Sequence, residues 1–198
     1  MSPDTVLRFW FGDPTDPDYR KPRPLWFAGG PAADAAIRAS FGAAVETALA
    51  GGFAQWLTTT PATLALVLLL DQFTRNIYRG TPRAFAGDAR AQQVALQAIT
   101  RGEDHALAYT ERWFLYLPLE HAESRELQAQ SVARFEALVH EAGVAEAKEL
   151  ELNGALDYAR SHASVIARFG RFPHRNAILG RISTPEEIAF LAQPASSF

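Results

Sequence analysis

The sequence contains no cysteine, so a disulfide, a thiolate nucleophile and a cysteine-ligated metal are all excluded. That absence fits a reducing compartment. No apolar run approaches the ~18 residues of a membrane span. The opening segment MSPDTVLRFWFGD also lacks the basic, apolar and small-residue order of a secretory leader. The reading is a cytoplasmic protein with no membrane partner. Positive charge is scarce overall: the net charge of -3 argues against a general nucleic-acid binder, which needs a surplus of cations on one face. No stretch alternates apolar with polar residues, so a sheet is not expected. Catalytic signatures are missing as well. There is no Gly-x-Ser-x-Gly elbow, phosphate-binding Walker loop or dinucleotide glycine fingerprint. No His-x-x-x-His or Glu-x-x-His pair occurs either, so no cofactor and no metal is expected. A metal site would have to be assembled across the fold from Asp71, Glu120, His121, His162 or His174.

What is present is helical spacing. A chain of 198 residues with 48% hydrophobic content can bury one core, and residues 1–198 read as a single all-α domain with a proline-rich loop at 13–24. Val6, Leu7, Phe9, Trp10 and Phe11 form a short aromatic helix ending at Gly12, and Leu25, Trp26 and Phe27 pin the loop back on the body. Ile37, Phe41, Val45, Ala48 and Leu49 mark the inward face of a helix from about Ala32 to Ala50. Asp88 caps a helix with an Ala91, Val94, Ala95, Ala98 and Ile99 stripe. Thr110 precedes a dense aromatic segment in which Pro118 should kink or break the helix. Ser124 to Glu141 is a further helix, and Val144 to Phe169 a longer one that Asn153-Gly154 can interrupt. Thr184, Pro185 and Glu187 spell a helix start with a capping box. The architecture is about eight to ten helices packed as antiparallel neighbours.

The centre is Leu64 to Arg83, LALVLLLDQFTRNIYRGTPR. With Thr60 as cap and Pro61 first in the helix, the segment is apolar on every side through Leu70, the pattern of an element surrounded by others. It then empties into Asp71, Gln72, Arg75, Asn76, Arg79 and Arg83. Asp71 shares a face with Leu64, Val67 and Leu68 near a helix C-terminus, where the macrodipole disfavours a carboxylate, so it needs an arginine partner.

Of the nineteen Lys and Arg, only Lys21 and Lys148 are lysine, and composition bias accounts for the total. Their distribution is more informative. Between Asp71 and Asp88 lie Arg75, Arg79 and Arg83 with no acid. From Arg160 to Arg181 lie Arg168, Arg171, Arg175, His162 and His174, again with no acid.

WFG near the start, LLDQFTRNIYRGTPRAFAGD, RWFLYLPLEH and ARFGRFPHRNAILGRISTPEEIAFL with a terminal SSF together resemble the bacterial domain-of-unknown-function family number nine hundred twenty-four. The similarity runs over essentially the whole chain. Thr74 stands where the family pattern has proline. The resemblance implies stacked antiparallel helices like those of the tetratricopeptide-repeat superfamily, and it implies no activity. Periodicity does not supply that likeness, because the repeat signature at ~34 residues is absent.

An internal echo links Phe73-Thr74-Arg75-Asn76-Ile77 with Phe172-Pro173-His174-Arg175-Asn176-Ala177-Ile178. The two Arg-Asn pairs are read as two arms of one site, with Asp71 and Glu120 the acids between them. Arg75 has a structural alternative, a bond to Asp71 one helical turn back. Arg168 and Arg175 lie in a loop framed by aromatic residues, a setting suited to clamping carboxylate or phosphate. His162 faces the interior, where a single histidine is usually a hydrogen-bonded core residue. Glu120, one turn from Tyr116, can act as a base if burial raises its pKa, and His121 adjoins it.

Two candidate functions emerge. The first is a helical binding module for an anionic small molecule or acidic peptide end. Its ligand residues are Asp71, Gln72, Arg75, Asn76, Arg79, Tyr116, His121, Arg168, His174, Arg175 and Asn176. The second is a hydrolase or transferase of such a substrate, with Glu120 and His162 moving the proton. An acid or base lying inside the cationic site separates them.

Overall fold

The computed structural model describes residues 1–194, and the terminal SSF of the family likeness lies outside them. No strand occurs among the described residues, and the all-α reading holds. The helices are α1 (Pro3–Phe11), α2 (Pro24–Phe27), α3 (Gly30–Leu49), α4 (Thr60–Leu68), α5 (Thr74–Ile77), α6 (Asp88–Thr100), α7 (Tyr109–Glu120), α8 (Arg125–Glu149), α9 (Leu152–Phe169) and α10 (Pro185–Leu191). None of the described helices is long and apolar enough to cross a membrane.

α4 is the hub because every residue from Leu64 to Leu70 is fully buried. It packs against α1, α6 and α7, while α3 covers the segment directly after it. α1 docks by aromatics: Trp10 meets Phe73 and Phe114 in tilted and edge-on contacts at 5.3 and 5.4 Å. Trp26 locks the proline-rich loop down by donating its indole N–H to the Trp10 carbonyl at 2.8 Å. One tryptophan thus supplies both the apolar face and the polar handle that a loop anchor requires.

Several local expectations need correction. The α4 helix begins at Thr60 itself, with Thr59 extended before it and no side-chain cap. Asp88 is the first residue of α6 rather than its cap, so its carboxylate is available for other partners. Pro118 sits inside α7 without ending it. It removes one N–H in the last turn, so the helix loses a single interior bond and still reaches Glu120. The carbonyls that end α7 find a side-chain donor, for Gln128 gives its amide N–H to the Glu120 and Ala122 oxygens. Gly143 (φ 71°) interrupts α8 where the Ser124 helix was expected to end, whereas the break placed at Asn153-Gly154 occurs earlier, at Glu151 (φ 57°), and Asn153-Gly154 lies within α9. The capping box of Thr184 and Glu187 forms as read: the Thr184 hydroxyl accepts from Glu187 N–H and the Glu187 carboxylate from Thr184 N–H.

Between α4 and α5 the helix widens into a π turn at Leu69–Phe73. Such a turn adds a residue to the ring and shifts the phase of the residues beyond it, and it is a frequent feature of functional sites. Thr74 stabilises it by donating its hydroxyl to the Leu70 and Asp71 carbonyls. Gly87 lies hard against this turn. A methyl placed on Gly87 would lie 2.1 Å from the Leu70 carbonyl oxygen, and that backbone cannot yield as a side chain would. Gly87→Ala is therefore expected to cost roughly 1–3 kcal/mol, read as a lower midpoint in urea denaturation. A variant as stable as the parent would mean that the α6 start is free to move off the π turn.

Candidate functional site

The π turn, α5, the first turn of α6, the end of α7, the middle of α9 and the loop after α9 converge on one buried polar cluster. Asp71 is its electrostatic centre, with no exposed surface. Arg75 Nη1 lies 2.9 Å from Asp71 Oδ1, His121 Nδ1 donates to the same oxygen at 2.8 Å, and the Gln72 amide donates to Oδ2. Burial alone would push the Asp71 carboxyl up, but Arg75, His121 and these hydrogen bonds together hold it far below the usual carboxylate range.

The two arms meet, although at an acid the sequence reading assigned elsewhere. Arg75 Nη2 reaches Asp88 Oδ2 at 3.2 Å and Arg175 Nη1 reaches the same oxygen at 3.4 Å. Both guanidinium groups also face the Phe85 ring. Asp88, rather than Asp71 or Glu120, separates the two arginines, because Gly87 lets the start of α6 press against the π turn. Arg175 lies between Phe85 and Phe172, 4.7 and 4.4 Å from their ring centres. Its Nε is buried and has no hydrogen-bond partner among the described residues. Burial, then the like charge of Arg75, pushes its pKa down to about 10.

Glu120 and His121 enter from the end of α7. Glu120 Oε1 is 3.2 Å from His162 Nδ1, and Glu120 Oε2 is buried with no hydrogen-bond partner among the described residues. Burial, then the neighbouring Asp71 charge, pushes Glu120 up to about 8. Asp71 and Glu120 are two carboxyl groups in one cluster held in opposite protonation states, the arrangement by which folds separate an acid from a base. His162 also donates Nδ1–H to the Tyr158 carbonyl at 2.8 Å. Burial, then His121, pushes the His162 imidazole down to about 3. His174, against the Phe172 ring, is pushed down to about 4 by burial and then by Arg175. His121 is lowered chiefly by burial and then by Arg75. These rings are therefore neutral at pH 7, and the cluster carries its positive charge on arginine alone.

Of the other residues expected to bind ligand, Arg79 makes paired bonds to Asp34, at 2.7 and 2.9 Å, and Asn76 donates to the same carboxylate. Arg168 pairs with Glu186 on the surface. Asn176 donates to Ser183 and Glu187 and so ties down the C-terminal loop. Tyr116 belongs to a separate chain in which Arg112 donates to the Tyr116 hydroxyl and that hydroxyl to Asp104. That chain borders an open cleft of about 720 Å3 lined by Arg20, Lys21, Tyr109, Arg112 and Glu141, none of which touches the Asp71 cluster. The residues brought together are thus Asp71, Gln72, Arg75, Glu120, His121, His162, His174 and Arg175. Asp88, Phe85 and Phe172 complete them and were missed as site residues. The one available signal for Asp88 was its place as the first acid after an acid-free cationic stretch.

A solved structure described as a protein of unknown function, ATU0120 from Agrobacterium tumefaciens, superposes with a TM-score of 0.80. The two share 35% identity, and the match covers 96% of each chain. Comparison with curated proteins finds no match. The family described as bacterial protein of unknown function (DUF924) matches residues 6–195. With a match of that extent beside a full-length structural likeness, the chain belongs to the DUF924 family of bacterial proteins.

Proposed function

We propose that the protein binds a small anionic molecule, or the acidic end of a peptide, with the Arg175 guanidinium as anchor. The observation that carries this reading is the state of Arg175. A buried cation stacked between two phenylalanine rings has one long contact to Asp88 and an Nε without a described partner. Buried guanidinium groups are normally met by paired oxygens, and a carboxylate or phosphate supplies two in the right plane. Arg75 faces the same acid and adds positive potential. Arg79 and Arg168 are neutralised by Asp34 and Glu186, so they fall outside the proposed ligand set.

One geometry supports turnover of that anion by a hydrolase or transferase as a second reading. The Glu120–His162 pair lies beside the arginines, and His121 is oriented by Asp71 as a general base is oriented by its carboxylate.

The test is titration of the full chain with inorganic phosphate and with mono- and dicarboxylates, followed by thermal unfolding. A ligand of the native state raises the melting temperature with concentration. Arg175→Ala is expected to weaken the best anion at least about tenfold, equivalent to ~1.4 kcal/mol, while Arg79→Ala leaves it unchanged. Equal affinity in Arg175→Ala and the parent would remove the anchor and with it the reading.

A further inference from the structure

We infer that Glu120, His121 and His162 form a binding site for a divalent transition-metal ion of the zinc class, with one carboxylate oxygen and two imidazole nitrogens as donors. One donor atom of each residue lies within 4.8 Å of the donor atoms of the other two. Zinc holds nitrogen and oxygen at about 2.0–2.2 Å, so neighbouring donors of a tetrahedron stand roughly 3.3 Å apart. A side-chain movement of about 1–1.5 Å closes the set, a contraction that an ion's own attraction supplies.

The surroundings of the two rings point to the same use. His121 Nδ1 donates to Asp71, an acceptor that carries no proton of its own, and His162 turns its Nδ1 edge toward Glu120 Oε1 at 3.2 Å. In the neutral His121 imidazole that fixes the hydrogen on Nδ1 and the lone pair on Nε2. Metal-binding histidines show this outer arrangement, one ring nitrogen donating to a carboxylate or backbone carbonyl while the other holds the ion. Asp71 is itself held by Arg75 and Gln72, so the outer group is fixed before any ion arrives. On the carboxylate side, Glu120 Oε2 is buried without a described partner, an acceptor that an ion would satisfy.

Charge permits the assignment. Asp71 and Asp88 balance Arg75 and Arg175, so a Glu120 that gives up its proton to the ion adds a third carboxylate against two guanidinium groups. Adjacent helical residues do not face one another, so a Glu-His dipeptide is a poor ligand pair in mid-helix. Here His121 is the C-terminal cap of α7, and both side chains turn toward α9. Three protein donors leave the fourth position open, which is the arrangement of a catalytic rather than a structural zinc. The site stands on its own geometry and does not depend on the anion reading, although an anion held by Arg175 would lie beside the open position.

The experiment is a metal titration of the full chain after chelator treatment, in a buffer without phosphate or carboxylate. Zn2+ is followed by calorimetry and Co2+ by its visible absorption. The expected result is one ion per chain with the Co2+ spectrum of a four- or five-coordinate centre. Glu120→Gln and His162→Ala are each expected to weaken binding by roughly a hundredfold or more, in line with losses at metal sites, while His140→Asn and Arg175→Ala retain it. If His162→Ala fails to fold by circular dichroism, Glu120→Gln, which removes the charge and keeps the volume, decides alone. Absence of stoichiometric binding by the parent chain, or undiminished affinity in Glu120→Gln, overturns the site. Metal binding that survives in Arg175→Ala while anion binding is lost supports the site as independent of the anchor.

Discussion

Glu120→Gln is expected to stabilise the metal-free protein at pH 7, by roughly 2–4 kcal/mol. In the unfolded chain Glu120 loses its proton near the ordinary glutamate value of 4.5, whereas burial, then the charge of Asp71, holds the folded group protonated up to about 8. Between those values the folded state binds the extra proton. Stability therefore falls as pH rises from 4.5 to 8, and it levels off above. Glutamine keeps the shape and cannot ionise, so the variant lacks this slope. Urea denaturation of both proteins with a chelator present, from pH 4.5 to 8.5, should show curves that coincide at the acid end and diverge toward pH 8. Parallel curves would mean that Glu120 is ionised in the fold.

Asp71→Asn should act in the opposite direction, destabilising by about 2–4 kcal/mol at neutral pH, within the range for breaking a buried charge pair. Asp71 is fully buried, and Arg75 and His121 both lean on its Oδ1. Arg75 retains Asp88 in the variant, which keeps the loss below that of an arginine left with no acid. The folded carboxyl is held below its unfolded value, so its contribution is complete above about pH 4 and disappears as pH falls toward the folded value. The deficit of Asp71→Asn should accordingly shrink in strong acid. A variant as stable as the parent across urea at pH 7 would show that Asp71 is solvated and that its arginine and imidazole contacts contribute nothing.

Helical content was open to reading because it depends on local periodicity. Ile37, Phe41, Val45 and Ala48 are buried on α3, and Ala91, Val94, Ala95, Ala98 and Ile99 on α6, as their spacing requires. The Thr184 capping box is equally local, four residues whose bonds close on themselves. The charged end of the central helix was legible too: seven apolar positions leading into Asp71 demand a nearby cation, and Arg75 is one turn away. Boundaries were less so. Pro118 was expected to kink or break its helix, and the helix runs on through it, since in the last turn only one hydrogen bond is at stake and packing of the buried α7 outweighs it.

Sequence spacing cannot carry contact between distant segments. The π turn at Leu69–Phe73 has no composition of its own, and it re-aims Asp71 and Arg75. Asp88 reads as a helix start until Gly87 is seen pressed against Leu70, and only then does the acid stand between Arg75 and Arg175. Asn76 and Asn176 look like twins in the chain, yet one serves Asp34 and the other Glu187, because a short motif fixes residue type and not the neighbours it meets. The sequence by itself determined an all-helical chain, a buried hub and an arginine-rich edge, since each depends on residues within a few turns of one another. Only the tertiary structure decided that Glu120, His121 and His162 share one space. The separation between α7 and α9 along the chain carries no distance, and burial, which sets their protonation, exists only once the helices pack.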